Sequence, residues 1–190
     1  RNISKKKIYA HIKLITEFYR KNFKKNPTIA ITGLNPHCES NFKNCEEDAI
    51  ILPAIKRLKT KNFKVEGPFP ADTIFTHDHL KKFDVIVGMY HDQVLTPFKA
   101  LYGYDAINVT LGLHYLRVSP DHGTAQDIIG LNIGNPQSLI NGTIGTVLIS
   151  QRFPMETLRL KFHRIDFHME ALGFKKIVFR MLLNSTIHKF

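Results

Sequence analysis

An α/β fold, three layers deep with helices on both faces of a mostly parallel sheet, follows from three features of the sequence. Residues 28–32, 83–90 and 106–111 are short apolar runs of strand length. Helical periodicity precedes the first run and separates it from the second. Strands and helices that alternate at this spacing build parallel sheets, because each crossover returns the chain to the same edge.

The first element is a helix. Ile8, Ile12, Ile15, Tyr19 and Phe23 recur at spacings of three and four, which sets them on one face. Lysines fill the other sides, so the sequence predicts a solvated amphipathic helix ended by Asn26-Pro27. It opens without an initiator methionine, and a preceding N-terminal portion is expected. Gly33 stops the strand at 28–32. Residues 46–60 read as a second helix, with Glu46, Glu47 and Asp48 in the first turn and Lys56, Arg57 and Lys59 in the last, the charge order a helix dipole favours. Gly67-Pro68 and Pro70 break the next stretch. Residues 151–190 carry Phe153, Leu158, Phe162, Phe167, Phe174 and Phe179 among basic residues, and ordinary partly buried helices are the expectation there. The chain divides into a 1–130 domain carrying the metal, substrate and dimer elements, and a 131–190 return segment with a basic helical tail.

The 190 residues are 43% hydrophobic and 23% charged, which excludes a disordered or collagen-like chain. No apolar run reaches the roughly 18 residues of a membrane span. Cys38 and Cys45 make no disulfide framework, and a cytoplasmic location is expected. A net charge of +11 raises the possibility of a nucleic-acid partner. The excess sits at the ends, however: residues 1–26 sum to +8, 27–150 to −2 and 151–190 to +5. Nucleic-acid binding is therefore not expected of the motif-bearing middle. A non-catalytic basic module for RNA or an acidic partner stands as the rival class.

The polar residues that could carry chemistry follow strand-like runs, where open α/β sheets place ligands. His37 comes after the first run and His91 after the 83–90 run, with Asp72 in the Pro70-Ala71-Asp72-Thr73 stretch between them. Neutral imidazoles suit a divalent metal such as zinc, but two ligands do not complete a site, and hydrogen-bonded loop histidines are the plainer alternative. Lys99, Asn108 and Arg117 form a second group at nine-residue intervals; their charges suit phosphate and carboxylate, or simply solvent. Ser119 to Asp127 form a third, whose glycine and small residues are expected to open a helix with backbone N–H groups facing a cofactor. His77-Asp78-His79 reads as a solvated helix cap rather than a metal site.

Five segments in order make a more specific pattern: Ile31-Thr-Gly-Leu-Asn-Pro-His37, Gly67-Pro-Phe-Pro-Ala-Asp-Thr73, Met89-Tyr-His-Asp-Gln93, Asn108-Val-Thr-Leu-Gly-Leu113 and Asp121-His-Gly-Thr-Ala125. Together they resemble the C-terminal half of the 4-hydroxythreonine-4-phosphate dehydrogenase family, over roughly residues 1–140. The resemblance implies an isocitrate/isopropylmalate dehydrogenase-like fold, present in part. It implies NAD-dependent oxidation and decarboxylation of 4-phosphooxy-L-threonine to 3-amino-2-oxopropyl phosphate in pyridoxal phosphate (vitamin B6) biosynthesis. A related phosphorylated hydroxy acid, such as phospho-threonate or phospho-erythronate, is the alternative substrate.

Carried over residue by residue, the resemblance implies that His37 and His91 are two of three metal ligands for Zn, Mg or Co, in a site shared across a homodimer. The third would lie in the absent half, so this chain alone is expected to be inactive. Lys99, Asn108 and Arg117 match positions that hold the phosphorylated substrate. Asp72, Asp92 and Lys99 match catalytic-cleft positions, and His122, Gly123, Thr124, Ala125 and Asp127 match the adenosine side of the NAD site. The chain departs from the family at Cys38-Glu39-Ser40, where Ala-Gly-Glu is usual, and at His114, where the family has proline.

Overall fold

The structure, a computed structural model, describes residues 3–38, 45–113 and 115–150 and the strands 165–170 and 177–180. Among the described residues, seven strands form one sheet in the order β2-β1-β3-β7-β6-β4-β5: β1 (Ile29–Thr32), β2 (Val65–Phe69), β3 (Val85–Gly88), β4 (Ala106–Leu111), β5 (Arg117–Pro120), β6 (Ile165–Glu170) and β7 (Ile177–Arg180). The pairs β1–β2, β1–β3 and β3–β7 are parallel. The pairs β4–β5, β4–β6 and β6–β7 are antiparallel. The parallel sheet expected from the βα alternation is the β2-β1-β3-β7 half, and an antiparallel half extends it.

Strand alternation explains the layers. Neighbouring residues of a strand face opposite sides, and β1 is buried on both, as is β3. Ile29 and Ile31 of β1, Val85 and Val87 of β3, and Ile107 and Val109 of β4 join one core with helices α1 (Lys5–Phe23) and α2 (Leu52–Thr60). Ala30, Ile86 and Ala106 face the other way, into a core with α3 (His77–Lys82) and α4 (His91–Tyr102). Helix α5 (Gln137–Ser150) covers the first face, where Gly142 and Gly145 let its backbone approach Ile107. The three layers are those expected.

Several elements differ from the sequence reading. Helix α1 is far more buried than a solvated amphipathic helix. His11, Thr16 and Asn22 are buried beside its apolar stripe. Thr16 Oγ1 donates to the Ile12 carbonyl and Asn22 Nδ2 to that of Phe18, both at 2.8 Å, so these two donors are met within their own helix. The helix ends at Phe23, on a left-handed Lys24, before Asn26-Pro27. The second helix is divided into a π-helical turn, Glu47–Ile51, and then α2. Pro53 has no N–H to continue an α ladder from that turn, which accounts for the change of pitch. Gly67-Pro68 lies within β2, an edge strand where proline is tolerated, and breaks only the pairing: the β1–β2 register shifts there.

The expected helical tail contributes β6 and β7 instead. The reason lies in the pattern Ile165-Asp166-Phe167-His168-Met169-Glu170, which alternates with period two, and in the β-branched Ile177-Val178. The rest of 151–190, and His114, lie outside the described residues.

Candidate functional site

The chain passes from β1 through α2 on one face to β2 on one side, then through α3 on the other face to β3 on the opposite side. The carboxyl ends of β1 and β3 therefore flank a topological switch point, the usual ligand crevice of open α/β sheets. His37 follows β1 and His91 is the first residue of α4, after β3. Asp72 follows β2, the next strand over. The three residues thus share one edge of the sheet.

His91 Nδ1 lies 2.6 Å from Asp92 Oδ1. With its Nδ1–H donated to that carboxylate, the ring presents Nε2 as a lone-pair donor, the arrangement typical of metal-ligating histidines. Both groups are well exposed, so the contact orients the ring more than it stabilises the fold. His37 is exposed, and its backbone N–H donates to Asn35 Oδ1 at 3.0 Å. The donor chemistry of the pair fits a divalent cation. Among the described residues, no group of three or more His, Cys, Asp or Glu is gathered to hold one.

Two buried side chains that the sequence reading passed over hold this edge together. Gln93 Oε1 accepts from Thr32 Oγ1 and Met89 N, and Gln93 Nε2 donates to the Gly33 carbonyl, all at 2.7 Å. It joins the end of β1 to the end of β3. Glu47 is 1% exposed. Its Oε1 accepts from Leu34 N at 2.8 Å and Asn35 N at 2.7 Å. The signal available for both was a polar residue at an otherwise apolar helical position.

Cys38 has φ of 54°, and its Sγ stands 2.4 Å from where a β-carbon on Gly33 would be. The loop closes only because residue 33 is glycine. Burial raises the Cys38 thiol pKa, and the carboxylates of Glu47 and Asp72 raise it further against a Gly33 hydrogen bond. Asp72 is thereby placed within electrostatic reach of the His37 loop. His79 of the His77-Asp78-His79 run is bonded through Nδ1 to Thr76 Oγ1 and the Thr73 carbonyl, as a helix-start residue would be.

The remaining candidates form a second group. Helix α4 runs back from the histidine edge, and eight residues at 1.5 Å rise carry Lys99 about 12 Å along the axis from His91. Lys99 Nζ lies 3.6 Å from Asp121 Oδ1. Strand β4 runs parallel to β3 through two antiparallel steps, and β5 returns, so Asp121 emerges at the opposite edge of the sheet. There a cleft of about 480 Å³ opens between Lys99 and Tyr104 on one side and Asp121, His122, Gly123 and Ala125 on the other. A β-carbon at Gly123 or Gly134 would meet nothing within 4 Å, which leaves this wall open to a ligand. Thr124 and Asp127 are exposed in the same loop.

That loop does not open a helix, contrary to the sequence reading. Asp121 to Ala125 are irregular, Ala125 is left-handed at φ 47°, and only the three-residue 3-10 turn Gln126–Ile128 follows. The 121–125 loop therefore brings no helix N-terminus of its own to the cleft, and its polar edge is loop backbone. Ser138, also unforeseen, fixes the loop: Asp121 N donates to Ser138 Oγ at 2.8 Å, and Ser138 Oγ to the Ala106 carbonyl at 2.6 Å.

Asn108 and Arg117 lie on the α4 side of β4 and β5, where Asn108 pairs with Ser119 and Thr110 with Arg117. Arg117 Nη1 donates to Thr110 Oγ1 at 2.9 Å. Asn108 Oδ1 is buried with no hydrogen-bond partner among the described residues, an acceptor left open there.

Fold and site together define a three-layer α/β protein with one candidate ligand edge at a switch point and a second cleft behind it. A family model described as the pyridoxal phosphate biosynthetic protein PdxA matches residues 1–144. The chain belongs to that family. It is 49% identical over 116 residues to the 4-hydroxythreonine-4-phosphate dehydrogenase of Xanthobacter autotrophicus, covering 60% of this chain and 33% of the relative. It is 41% identical over 140 residues to a protein of Oceanobacillus iheyensis provisionally named D-threonate 4-phosphate dehydrogenase, covering 73% and 42%. A solved 4-hydroxythreonine-4-phosphate dehydrogenase from Burkholderia phymatum superposes with a TM-score of 0.63 at 35% identity, covering 78% of this chain and 46% of that one. The chain thus spans less than half the length of these relatives.

Proposed function

We propose that this chain is the metal- and NAD-binding part of a 4-hydroxythreonine-4-phosphate dehydrogenase, an oxidoreductase of pyridoxal phosphate biosynthesis. The observation that carries the reading is the placement of His37 and His91 at the ends of neighbouring strands, with the His91 ring oriented by Asp92. His37 and His91 would hold a divalent cation (Zn, Mg or Co), completed by a ligand from the rest of the polypeptide or across a homodimer. When bound, the cation and NAD supply charge stabilisation at the reacting oxygen and a hydride acceptor.

The chain's own residues do the rest. Arg117 and Lys99 offer the positive charge that a phosphate and a carboxylate require, and the buried Asn108 amide oxygen would accept from a substrate hydroxyl or ammonium instead. Asp72 and Asp92 stand at the histidine edge as candidates for taking or relaying the alcohol proton. Residues 122–127 would receive the adenosine end of NAD in the rear cleft. A dinucleotide is an extended molecule, which fits two groups of residues set apart along α4. Loss of hydride and proton from the secondary alcohol yields a β-keto acid, which then releases carbon dioxide.

A related phosphorylated hydroxy acid is a second reading, favoured by the similarity to the Oceanobacillus iheyensis protein. The test is NADH formation by the full-length polypeptide, after chelation and re-addition of Zn, Mg or Co, with 4-phosphooxy-L-threonine and with phospho-D-threonate and phospho-erythronate. Metal-dependent turnover of the first supports the proposal, and turnover of only the others selects the second reading. No turnover, or turnover unaffected by chelation and by His37→Ala, overturns the metal-dependent assignment. Sustained NADH formation by residues 1–190 alone would overturn the expectation that a second half completes the site.

A further inference from the structure

We propose that Glu47 is a positioning residue: through Asn35 it sets the backbone from which His37 reaches its ligand. The inference rests on the reading of His37 as a metal-binding residue. Glu47 opens the π-helical turn and is almost wholly buried. Its Oε1 collects two successive backbone N–H groups, those of Leu34 and Asn35. Asn35 in turn accepts the His37 N–H on Oδ1, and its carbonyl accepts the Cys38 N–H at 3.1 Å. Every residue from Leu34 to Cys38 that has a backbone N–H is thus held directly by Glu47 or through Asn35, Pro36 having none.

The arrangement is costly to build for packing alone. A carboxylate taken out of water loses far more hydration than a leucine, and only good hydrogen bonds offset that loss. A buried apolar side chain would fill the same space between α2 and β1. Two charge-assisted bonds to adjacent amides instead fix the direction of one short loop. Gly33 makes the approach possible, since a β-carbon there would lie 3.2 Å from Glu47 Oε1.

The experiment uses the full-length polypeptide, freed of metal, and reads cobalt affinity and the cobalt visible spectrum beside amide hydrogen exchange. Glu47→Gln keeps an oxygen acceptor and should stay within about threefold of wild type. Glu47→Leu should lose protection at Leu34 and Asn35 and weaken cobalt binding about 10- to 100-fold, the usual effect of removing a group that orients a ligand. Asn35→Ala, a change at a partly exposed side chain, should weaken it in the same direction and covers the case in which Glu47→Leu does not fold. Loss of stability in Glu47→Leu with cobalt affinity and spectrum unchanged would make the residue merely structural and overturn the proposal. So would a Glu47→Gln defect as large as that of Glu47→Leu, or an Asn35→Ala variant indistinguishable from wild type. A His37→Ala variant run alongside separates the two levels: cobalt binding unaffected by it removes the metal reading itself, whereas binding lost in His37→Ala but kept in Glu47→Leu removes only the positioning role.

Discussion

Replacing Gln93 by leucine tests whether a single amide holds together the two strand ends that carry the histidines. Its three partners identify the amide's orientation: Met89 N can only donate and the Gly33 carbonyl can only accept, so Oε1 faces the first and Nε2 the second. Leucine fills similar space but leaves the Thr32 hydroxyl, the Met89 N–H and the Gly33 carbonyl without that partner, in a region where Thr32 and Met89 are 0% exposed. The Thr32 hydroxyl keeps the Val87 carbonyl as an acceptor at 3.3 Å, so two buried groups are left unpaired at about 1–3 kcal/mol each, and even the low end gives a loss of about 2 kcal/mol. Urea unfolding at pH 7 measures it.

Gln93→Glu sharpens the test through its pH dependence. The new carboxylate still accepts from Thr32 and Met89, but it meets the Gly33 carbonyl oxygen with no proton between them. Burial and that contact raise its folded pKa above the unfolded value, so protonation favours the folded state. Its deficit relative to wild type should be constant above the folded pKa and shrink as the pH falls through that value toward the unfolded one. A Gln93→Leu loss under about 1 kcal/mol, or a Gln93→Glu deficit that does not change with pH, would refute the reasoning.

Other expectations follow from the same contacts. Burial alone would raise the Asp84 carboxyl, but hydrogen bonds from Lys25 and from Thr28 N and Oγ1 outweigh it and hold the pKa low. A lowered folded pKa means stability present above the unfolded value, near 3.9, and lost as pH falls through the folded one. Acid titration of stability should therefore be shallower in Asp84→Asn, and equal slopes would count against it. The raised Cys38 thiol should alkylate several-fold more slowly than a free cysteine at pH 8, as followed by peptide mass spectrometry; reaction at the free rate would contradict the burial. Ser138→Ala should cost about 1–2 kcal/mol in urea unfolding and speed amide exchange at Asp121, because one hydroxyl serves both the loop and β4.

Much of the fold was legible because apolar periodicity marks burial: the one-face spacing of Ile8 to Tyr19 and the run at Val85–Val87 both point to core positions the structure fills. What escaped was decided by pairing. β5, Arg117-Val118-Ser119-Pro120, has no apolar excess of its own and exists because β4 offers an edge. β6 and β7 looked helical amid basic residues, while their place comes from contacts far along the chain. Within the site, His37, His91 and Asp72 were visible as polar residues after strands. Glu47 and Gln93 were not singled out, since a buried carboxylate or amide inside a helix reads as one more polar residue until its partners are known. Spacing groups Lys99 with Asn108 and Arg117, whereas its ion-pair partner, Asp121, comes from the neighbouring loop.

The strand order bears on how the molecule is assembled. β7 sits between β3 and β6, with Val85 opposite Ile177, so the seam between the two halves of the sheet joins residues about ninety positions apart. The β2-β1-β3 unit is local and can pair as it is made. Its β3 edge then waits, with unsatisfied N–H and C=O groups and the apolar side chains of Val85 and Val87 beside them, until a much later segment arrives. Contacts this distant form slowly, and an open parallel edge is adhesive while it waits. During folding, the vulnerable part of this protein is the middle of the finished sheet rather than its rim.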